Sequence, residues 1–247
     1  MPYNAIKYSK EGHIARITLN RPEAGNAINQ QMARELEEVC CQINQDDDVY
    51  VVTITGAGDD FCLGSDPGSV ETGCRPADAV AGIDRPVVAV INGDALGQGL
   101  ELALSCDIRL ASAIAHLGLP QVAQGSIPMD GGTQRLPRII GRAKALELLL
   151  TAEIISAEEA LEIGLVSRVV SAEKLAGEVE KLARSIAAKG PVSLRYVKEA
   201  VNKGLDMTLG QGLRLEADLY FLLHTTADRT EGIKAFLEKR PPQFKGK

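Results

Sequence analysis

Aromatic residues and clustered positive charge are both scarce in this sequence. Its 247 residues include four Phe, five Tyr and no Trp, so we expect an aliphatic core, as in helix-rich α/β proteins. Lysine and arginine are outnumbered by aspartate and glutamate, which gives a net charge of −6, and there is no long basic run. A nucleic-acid footprint needs clustered Lys and Arg to neutralise phosphates, so we expect no nucleic-acid partner.

Long apolar runs are missing as well. No window approaches the ~18 apolar residues that a membrane-spanning helix needs. The N-terminal stretch MPYNAIKYSKEGH contains no apolar segment typical of a signal peptide. These features predict a soluble, cytoplasmic protein with no membrane partner.

Neither disulfides nor metal sites are indicated. The cysteine count of five is odd and no CxxC pair occurs, which predicts reduced thiols and agrees with a cytoplasmic location. The three histidines, His13, His116 and His224, are isolated and lack metal-ligand spacing. We therefore expect no metal and no redox cofactor.

Short β-rich runs do alternate with helical patterns. Strands are predicted at HIARITLNRP, VYVVTITGAG, RPVVAVING and CDIRLASA, and apolar residues at helical spacing predict an amphipathic helix over residues 26–46. Nearly continuous apolar strands are typical of a sheet that is covered on both faces. The alternation favours parallel βαβ units and an α/β fold.

The pattern changes after the Gly190–Pro191 break, where only helical signals follow. We predict a core over residues 1–190 and a helical C-terminal region over residues 191–247. Helical extensions of this kind often pack against neighbouring subunits.

One carboxylate lies in an apolar run. Glu101 belongs to DALGQGLELALSCD and is flanked by Leu100, Leu102, Ala103 and Leu104. An acidic residue in the first turn of a helix interacts favourably with the helix dipole, which is an ordinary structural role. Burying a carboxylate without a partner costs several kcal/mol, however, and such groups occur mainly at functional sites. The preceding Gly97 and Gly99 allow close approach of another molecule to a helix start.

Two loops are further candidates for ligand contact. They are GDDFCLGSDPGS, residues 58–69, and the long Gly/Pro-punctuated segment of residues 117–141. Other motifs are missing: no GxGxxG dinucleotide fingerprint, no P-loop and no GxSxG elbow occurs.

Together these segments resemble the crotonase (enoyl-CoA hydratase/isomerase) superfamily. The resemblance runs over nearly the whole chain. It includes RITLNRPEAGNAIN, FCLGSD, PVVAVINGDALGQGLELALSCDIRLAS, LGLPQVAQGSIPMDGGTQRLPRIIG and the C-terminal DRTEGIKAFLEKRPPQFKGK. It implies a spiral core of ββα turns with two roughly perpendicular sheets, a helical C-terminal region, and a homotrimer or dimer of trimers.

The resemblance also implies an acyl-CoA thioester as substrate, with CoA entering as part of that substrate. In this family two backbone N–H groups stabilise a thioester enolate, and by motif they belong here to Leu63 and Gln98. The segment Leu63–Asp66 (Leu63, Gly64, Ser65 and Asp66) would line the CoA path. Tyr220 and Lys239 match tail positions that can cover the adenine.

Glu101 matches the first of the two catalytic glutamates of the family's hydratases, but the second position holds Gln121. An amide can orient water yet cannot donate and recover a proton near neutral pH. Asp130 lies nine residues further on and either supplies the missing carboxylate or forms a turn before Gly131. The stretch between FCLGSD and DRPVVAV is shorter than in common members, which would open the acyl pocket for a bulky or cyclic group.

The leading hypothesis is a lyase that hydrates an enoyl-CoA or dehydrates a hydroxyacyl-CoA, with Glu101 as the general base and Gln121 positioning water or substrate. A second hypothesis is another enolate reaction, namely isomerisation, decarboxylation or thioester hydrolysis. A third is a catalytically weak acyl-CoA-binding subunit, which Gln121 favours and the buried Glu101 disfavours.

Overall fold

A computed structural model describes residues 3–66 and 75–247. Its described strands form two sheets. The larger sheet has the order β1-β2-β3-β4-β6-β9, and the smaller has the order β5-β7-β8. The bounds are β1 (Ile6–Glu11), β2 (Ile14–Leu19), β3 (Val51–Gly56), β4 (Val87–Ile91), β5 (Ala95–Leu96), β6 (Ile108–Ser112), β7 (His116–Gly118), β8 (Ile154–Ser156) and β9 (Arg168–Val170).

Helices connect these strands and then continue alone to the C-terminus. Their bounds are α1 (Gln30–Gln45), α2 (Pro76–Ala81), α3 (Gln98–Leu104), α4 (Gly132–Ile140), α5 (Arg142–Thr151), α6 (Ala157–Glu162), α7 (Ala172–Ala187), α8 (Pro191–Gly204), α9 (Leu209–Leu223) and α10 (Ala227–Leu237). The predicted α/β fold with two sheets and a helical C-terminal region is confirmed.

The central strands of the larger sheet, β3, β4 and β6, are buried on both faces, which explains their nearly continuous apolar sequences. Along β4, Val88 and Val90 belong to the apolar cluster beneath α7, whereas Ala89 and Ile91 belong to the main core on the opposite face. Successive side chains of a strand point to opposite faces, so every position of such a strand must be apolar. The four predicted strands correspond to β2, β3, β4 and β6.

Within the larger sheet, pairing is parallel from β2 to β9, but β1 and β2 form an antiparallel hairpin. In the smaller sheet, β7 and β8 are also antiparallel. The prediction of parallel βαβ units is therefore incomplete at the start of the chain and in the smaller sheet. Gly12 has φ of 55° and lies in the turn between the two strands. A glycine adopts this left-handed conformation without steric cost, so a two-residue connection is possible.

Helix α1 begins four residues later than predicted. The side chain of Asn29 caps it by accepting the N–H of Met32 at 2.8 Å. Upstream, Ile28 donates its N–H to the Gly64 carbonyl at 2.8 Å. This contact pairs Ile28 with the FCLGSD segment instead of the helix and helps to shape the cleft described below.

The C-terminal region begins at the predicted break, since α8 starts at Pro191. Polar contacts attach α8 to the core: Lys198 binds Asp107 at 2.7 Å and Arg195 binds Asp84 at 3.0 Å. The division into a core and a C-terminal region at residue 190 stays a prediction.

Candidate active site

Helix α3 is a short helix that is buried along its whole length. Gly97 precedes it with φ of 54° and ψ of −127°, a conformation that favours glycine. A Cβ atom at Gly99 would lie 2.1 Å from the carbonyl oxygen of Cys62, so α3 touches the FCLGSD segment backbone to backbone. The two glycines thus bring the start of α3 against this segment.

An open cleft of about 550 Å³ lies at this junction. Several predicted site residues meet there although they are far apart in sequence. The residues that line it are Leu63, Gly64, Ser65, Leu96, Gly97, Gln98, Glu101, Pro120, Gln121, Gln124, Ser126, Ile127 and Met129. The structure therefore brings the FCLGSD segment, the start of α3 and the loop around Gln121 into one site.

The two oxygens of Glu101 have different surroundings. The residue is 1% exposed. Its Oε1 accepts the backbone N–H of Asp130 at 2.7 Å and that of Gly132 at 2.8 Å. Its Oε2 accepts the Gln121 side-chain amide at the longer distance of 3.3 Å. Oε1 is thus fixed by two main-chain hydrogen bonds, whereas Oε2 faces the Gln121 side chain at the cleft.

Burial raises the pKa of Glu101 above its ordinary value. The N–H groups of Gly132, Asp130 and Met129 and the positive charge of Arg135 oppose this shift without cancelling it. A carboxylate that is partly dried and held in one orientation is a stronger base than one in water. Proton transfer is the chemistry that this arrangement supports.

Gln121 lies where the sequence predicts, next to Glu101. Its Oε1 is buried and has no hydrogen-bond partner among the residues that the structure describes. An amide oxygen can accept a hydrogen bond from water or from a substrate hydroxyl, but it cannot exchange a proton near neutral pH.

Asp130 is fully buried and does not line the cleft. Its Oδ2 accepts the backbone N–H of Ala77 and the side-chain amide of Gln98, each at 3.1 Å. The arrangement does not favour the hypothesis that Asp130 supplies a second carboxylate to the substrate. Asp130 contacts the candidate general base through its backbone N–H, which donates to Glu101 Oε1, and not through its side chain.

Leu63 is less suited to the predicted donor role than the residue two places later. Its N–H donates to the Gly25 carbonyl at 2.9 Å, so it is engaged within the chain. The main-chain groups on either side of Ser65 are also engaged. Ile28 donates its N–H to the Gly64 carbonyl, and the Ile28 carbonyl accepts the N–H of Asp66. The N–H of Ser65 has no acceptor among the described residues. N–H groups alternate in direction along an extended chain, so those of Leu63 and Ser65 are expected to point the same way, and no local signal separates the two residues.

Other predicted contacts lie outside the cleft. Asp66 forms an ion pair with Arg21 at 2.9 Å. Tyr220 on α9 is 56% exposed and does not line the cleft, nor does Lys239, which follows α10. The shortened stretch predicted to form the acyl-pocket wall includes residues 67–74. These residues, among them Cys74, lie outside the described part of the chain.

Within residues 3–66 and 75–247, no group of three or more His, Cys, Asp or Glu side chains is arranged to hold a metal ion. In the same ranges, no helix is long and apolar enough to span a bilayer.

Comparison with known proteins identifies the class. The chain belongs to the Enoyl-CoA hydratase/isomerase family, whose profile matches residues 9–247. It is an enzyme of that family, with the crotonase fold and an acyl-CoA thioester as its substrate class. The resemblance inferred from the motifs is confirmed.

Individual relatives are similar over nearly their whole length. The chain is 39% identical over 257 residues to a crotonyl-CoA hydratase of Syntrophomonas wolfei, covering 99% of both chains. It is 42% identical over 246 residues to an (E)-benzylidenesuccinyl-CoA hydratase of Thauera aromatica, covering 95% of this chain and 96% of the relative. The crystal structure of an enoyl-CoA hydratase from Bacillus anthracis superposes with a TM-score of 0.96 at 39% identity, covering 99% of this chain and all of that one.

Proposed function

We propose that this enzyme adds water to the double bond of an enoyl-CoA, or removes it from the corresponding hydroxyacyl-CoA, with Glu101 as its single acid–base group. The observation that carries the proposal is the asymmetric binding of Glu101. Two backbone N–H groups hold Oε1, while Oε2 lies beside Gln121 at the cleft. Relatives with hydratase names support the same reaction class.

The backbone N–H groups of Ser65 and Gln98 are the proposed donors to the thioester oxygen. Both residues line the cleft, and Gln98 is the first residue of α3, where N–H groups point out of the helix. Negative charge develops on this oxygen when a nucleophile attacks the β-carbon. Fixed donors stabilise that charge more than they stabilise the substrate, which lowers the barrier.

The proton balance needs only Glu101. Its carboxylate takes one proton from water while the hydroxyl adds to the β-carbon and the double-bond electrons move to form the enolate. Glu101 then returns that proton to the α-carbon, and the enolate collapses to the thioester. Gln121 orients the water, because its oxygen accepts a hydrogen bond but cannot supply a proton.

Hydration of crotonyl-CoA in heavy-oxygen water tests this proposal. We expect incorporation of one labelled oxygen, detected by mass spectrometry. Glu101→Gln should lower kcat by about 10²–10⁴-fold because the general base is lost. Binding of CoA esters should persist in the variant.

One observation, the amide at position 121, favours an alternative function in which the enolate forms by another reaction than hydration. An isomerisation or decarboxylation needs no attacking water, so the loss of a second carboxylate would matter less. Unlabelled products with a shifted double bond, or loss of an acyl carboxylate, would establish this alternative and exclude hydration. Binding of CoA esters without turnover would instead indicate an acyl-CoA-binding subunit.

We further propose that the chain assembles as a homotrimer or dimer of trimers in the cytoplasm. On α9, Leu209 is 80% exposed and Leu213 and Tyr220 are each 56% exposed. These three side chains lie on one face of the helix because their spacings follow its period. An exposed apolar stripe of this kind is typical of a protein–protein contact. Tyr220 and Lys239 would reach the CoA adenine only within such an assembly.

A further inference from the structure

Gln98 has a side-chain contact that its proposed backbone role does not require. Its Nε2 donates to Asp130 Oδ2 at 3.1 Å. Gln98 is 6% exposed and Asp130 is completely buried, so this hydrogen bond is shielded from water. The same residue therefore contributes its backbone to the cleft and anchors its side chain in the core.

Asp130 joins three structural elements. Its N–H binds Glu101 Oε1 at 2.7 Å, its Oδ2 also accepts the N–H of Ala77 on α2, and its carbonyl accepts a hydrogen bond from Arg135 on α4 at 2.7 Å. The residue is thus bound to the general base through its main chain and to Gln98 through its side chain.

We propose that Gln98 and Asp130 form a positioning pair. Their hydrogen bond fixes the start of α3 relative to the loop that holds Glu101, and so sets the distance between the enolate-stabilising N–H and the general base. Neither side chain needs to touch the substrate for this role. The inference rests on the proposed function, because it concerns the same enolate site.

The start of helix α3 needs a restraint that the Gln98–Asp130 hydrogen bond can supply. Gln98 and Glu101 are three residues apart, so they lie one helical turn apart on neighbouring positions of α3. Helix α3 has only seven residues and follows a glycine, so its own backbone restrains its start weakly. Donors that stabilise an enolate must be held within about 0.5 Å of the productive position. A buried side-chain bond across to Asp130 supplies that restraint.

The charge of Asp130 strengthens the restraint at neutral pH. Burial raises its pKa to about 6, although the hydrogen bonds from Gln98 and Ala77 oppose the shift. The charges of Glu101 and Asp78 also raise it, and Arg135 binds its carbonyl. Above about pH 6 the carboxylate is ionised and its hydrogen bonds are charge-assisted. Protonation below that pH weakens the bond to Gln98, so activity should fall.

The test uses acetoacetyl-CoA, a β-keto thioester whose enolate absorbs in the near ultraviolet, together with crotonyl-CoA hydration. Gln98→Leu removes the amide and keeps the backbone N–H, and Asp130→Ala removes the acceptor. Each should lower both the bound enolate fraction and kcat by about tenfold, with KM within about threefold, because misplaced donors mainly affect the charged state. The losses in the double variant should be less than additive, because both single variants break the same hydrogen bond.

Asp130→Asn is the conservative variant, because an amide oxygen can still accept from Gln98 and Ala77. It should keep kcat at pH 8 within about threefold of wild type and retain more of that rate than wild type below pH 6, where only Glu101 still titrates in the variant. Gln134→Leu, an exposed amide-to-leucine change on α4, is the matched control and should leave both readouts unchanged.

The outcomes separate this inference from the proposed function. If wild type fails to hydrate but Gln98→Leu still lowers the enolate fraction, hydration is wrong and the positioning pair stands. If wild type hydrates and folded Gln98→Leu retains its kcat and enolate fraction, the pair is wrong. If either large change prevents folding, the pH profile of Asp130→Asn decides, and a profile with the same acid limb as wild type overturns the inference.

Discussion

Helices α3 and α9 differ in burial and in whether a close contact requires their glycine. Helix α3 is buried throughout, and a Cβ at Gly99 would overlap the Cys62 carbonyl. Helix α9 has a single buried residue, Leu219, and a Cβ at Gly210 would meet nothing within 4 Å. The helix that carries the site is thus placed by contact with the rest of the chain. The C-terminal helix instead leaves an apolar surface exposed.

The largest effect that this comparison predicts is that of Gly99→Ala. The added methyl group must push α3 away from residue 62, which moves Gln98 and Glu101 together with the helix. We expect a loss of at least about 10²-fold in kcat and a destabilisation of about 1–3 kcal/mol. Steady-state kinetics and denaturant unfolding measure the two effects.

Gly210→Ala is the matched control for that change. It should leave kcat unchanged and alter the free energy of unfolding by no more than about 1 kcal/mol, in the stabilising direction. Equal losses in both variants would show that α3 is not placed by its contact with residue 62.

An intermediate effect is expected for Gln121→Glu. The change restores a proton donor beside Glu101, and general acid catalysis should raise kcat for crotonyl-CoA hydration by about tenfold or more. Gln124→Glu adds the same charge to the same cleft, three residues away, and should leave kcat within about threefold of wild type. A fall in the rate of Gln121→Glu would show that the reaction needs a neutral amide at this position and gains nothing from a second acid.

The smallest effect on folding is expected on α9. Substitution of Leu209 and Leu213 by Gln should change the free energy of unfolding of the isolated chain by about 0.5 kcal/mol or less, because both side chains are exposed. Light scattering should nevertheless show a smaller assembly than for wild type. An unchanged mass would mean that this stripe is not the subunit contact.

Much of the site could be predicted from local sequence. The apolar neighbours of Glu101 in the sequence indicate that it is buried. The structure agrees, because every residue of α3 is buried. Gln121 was placed by the motif around it and lies against Glu101. The core strands were predictable because a sheet covered on both faces requires apolar residues at every position.

Residue-level roles could not be assigned in the same way. Leu63 and Ser65 are equally plausible donors in the string FCLGSD, and only the hydrogen bond from Leu63 to the distant Gly25 distinguishes them. The local sequence is compatible with Asp130 as a cleft carboxylate or as a turn residue. Its contacts with Ala77 and Gln98 come from segments 53 and 32 residues away, and no local pattern indicates them.

By itself, the sequence determined the fold class, the family and the presence of one buried carboxylate without a second one in the expected frame. Those properties depend on residue type and on spacing along the chain. Only the tertiary structure decided which oxygen of Glu101 is held, which N–H in FCLGSD is already engaged and where the Asp130 side chain binds. Each of these depends on hydrogen bonds between segments distant in sequence, which exist only once the chain has folded.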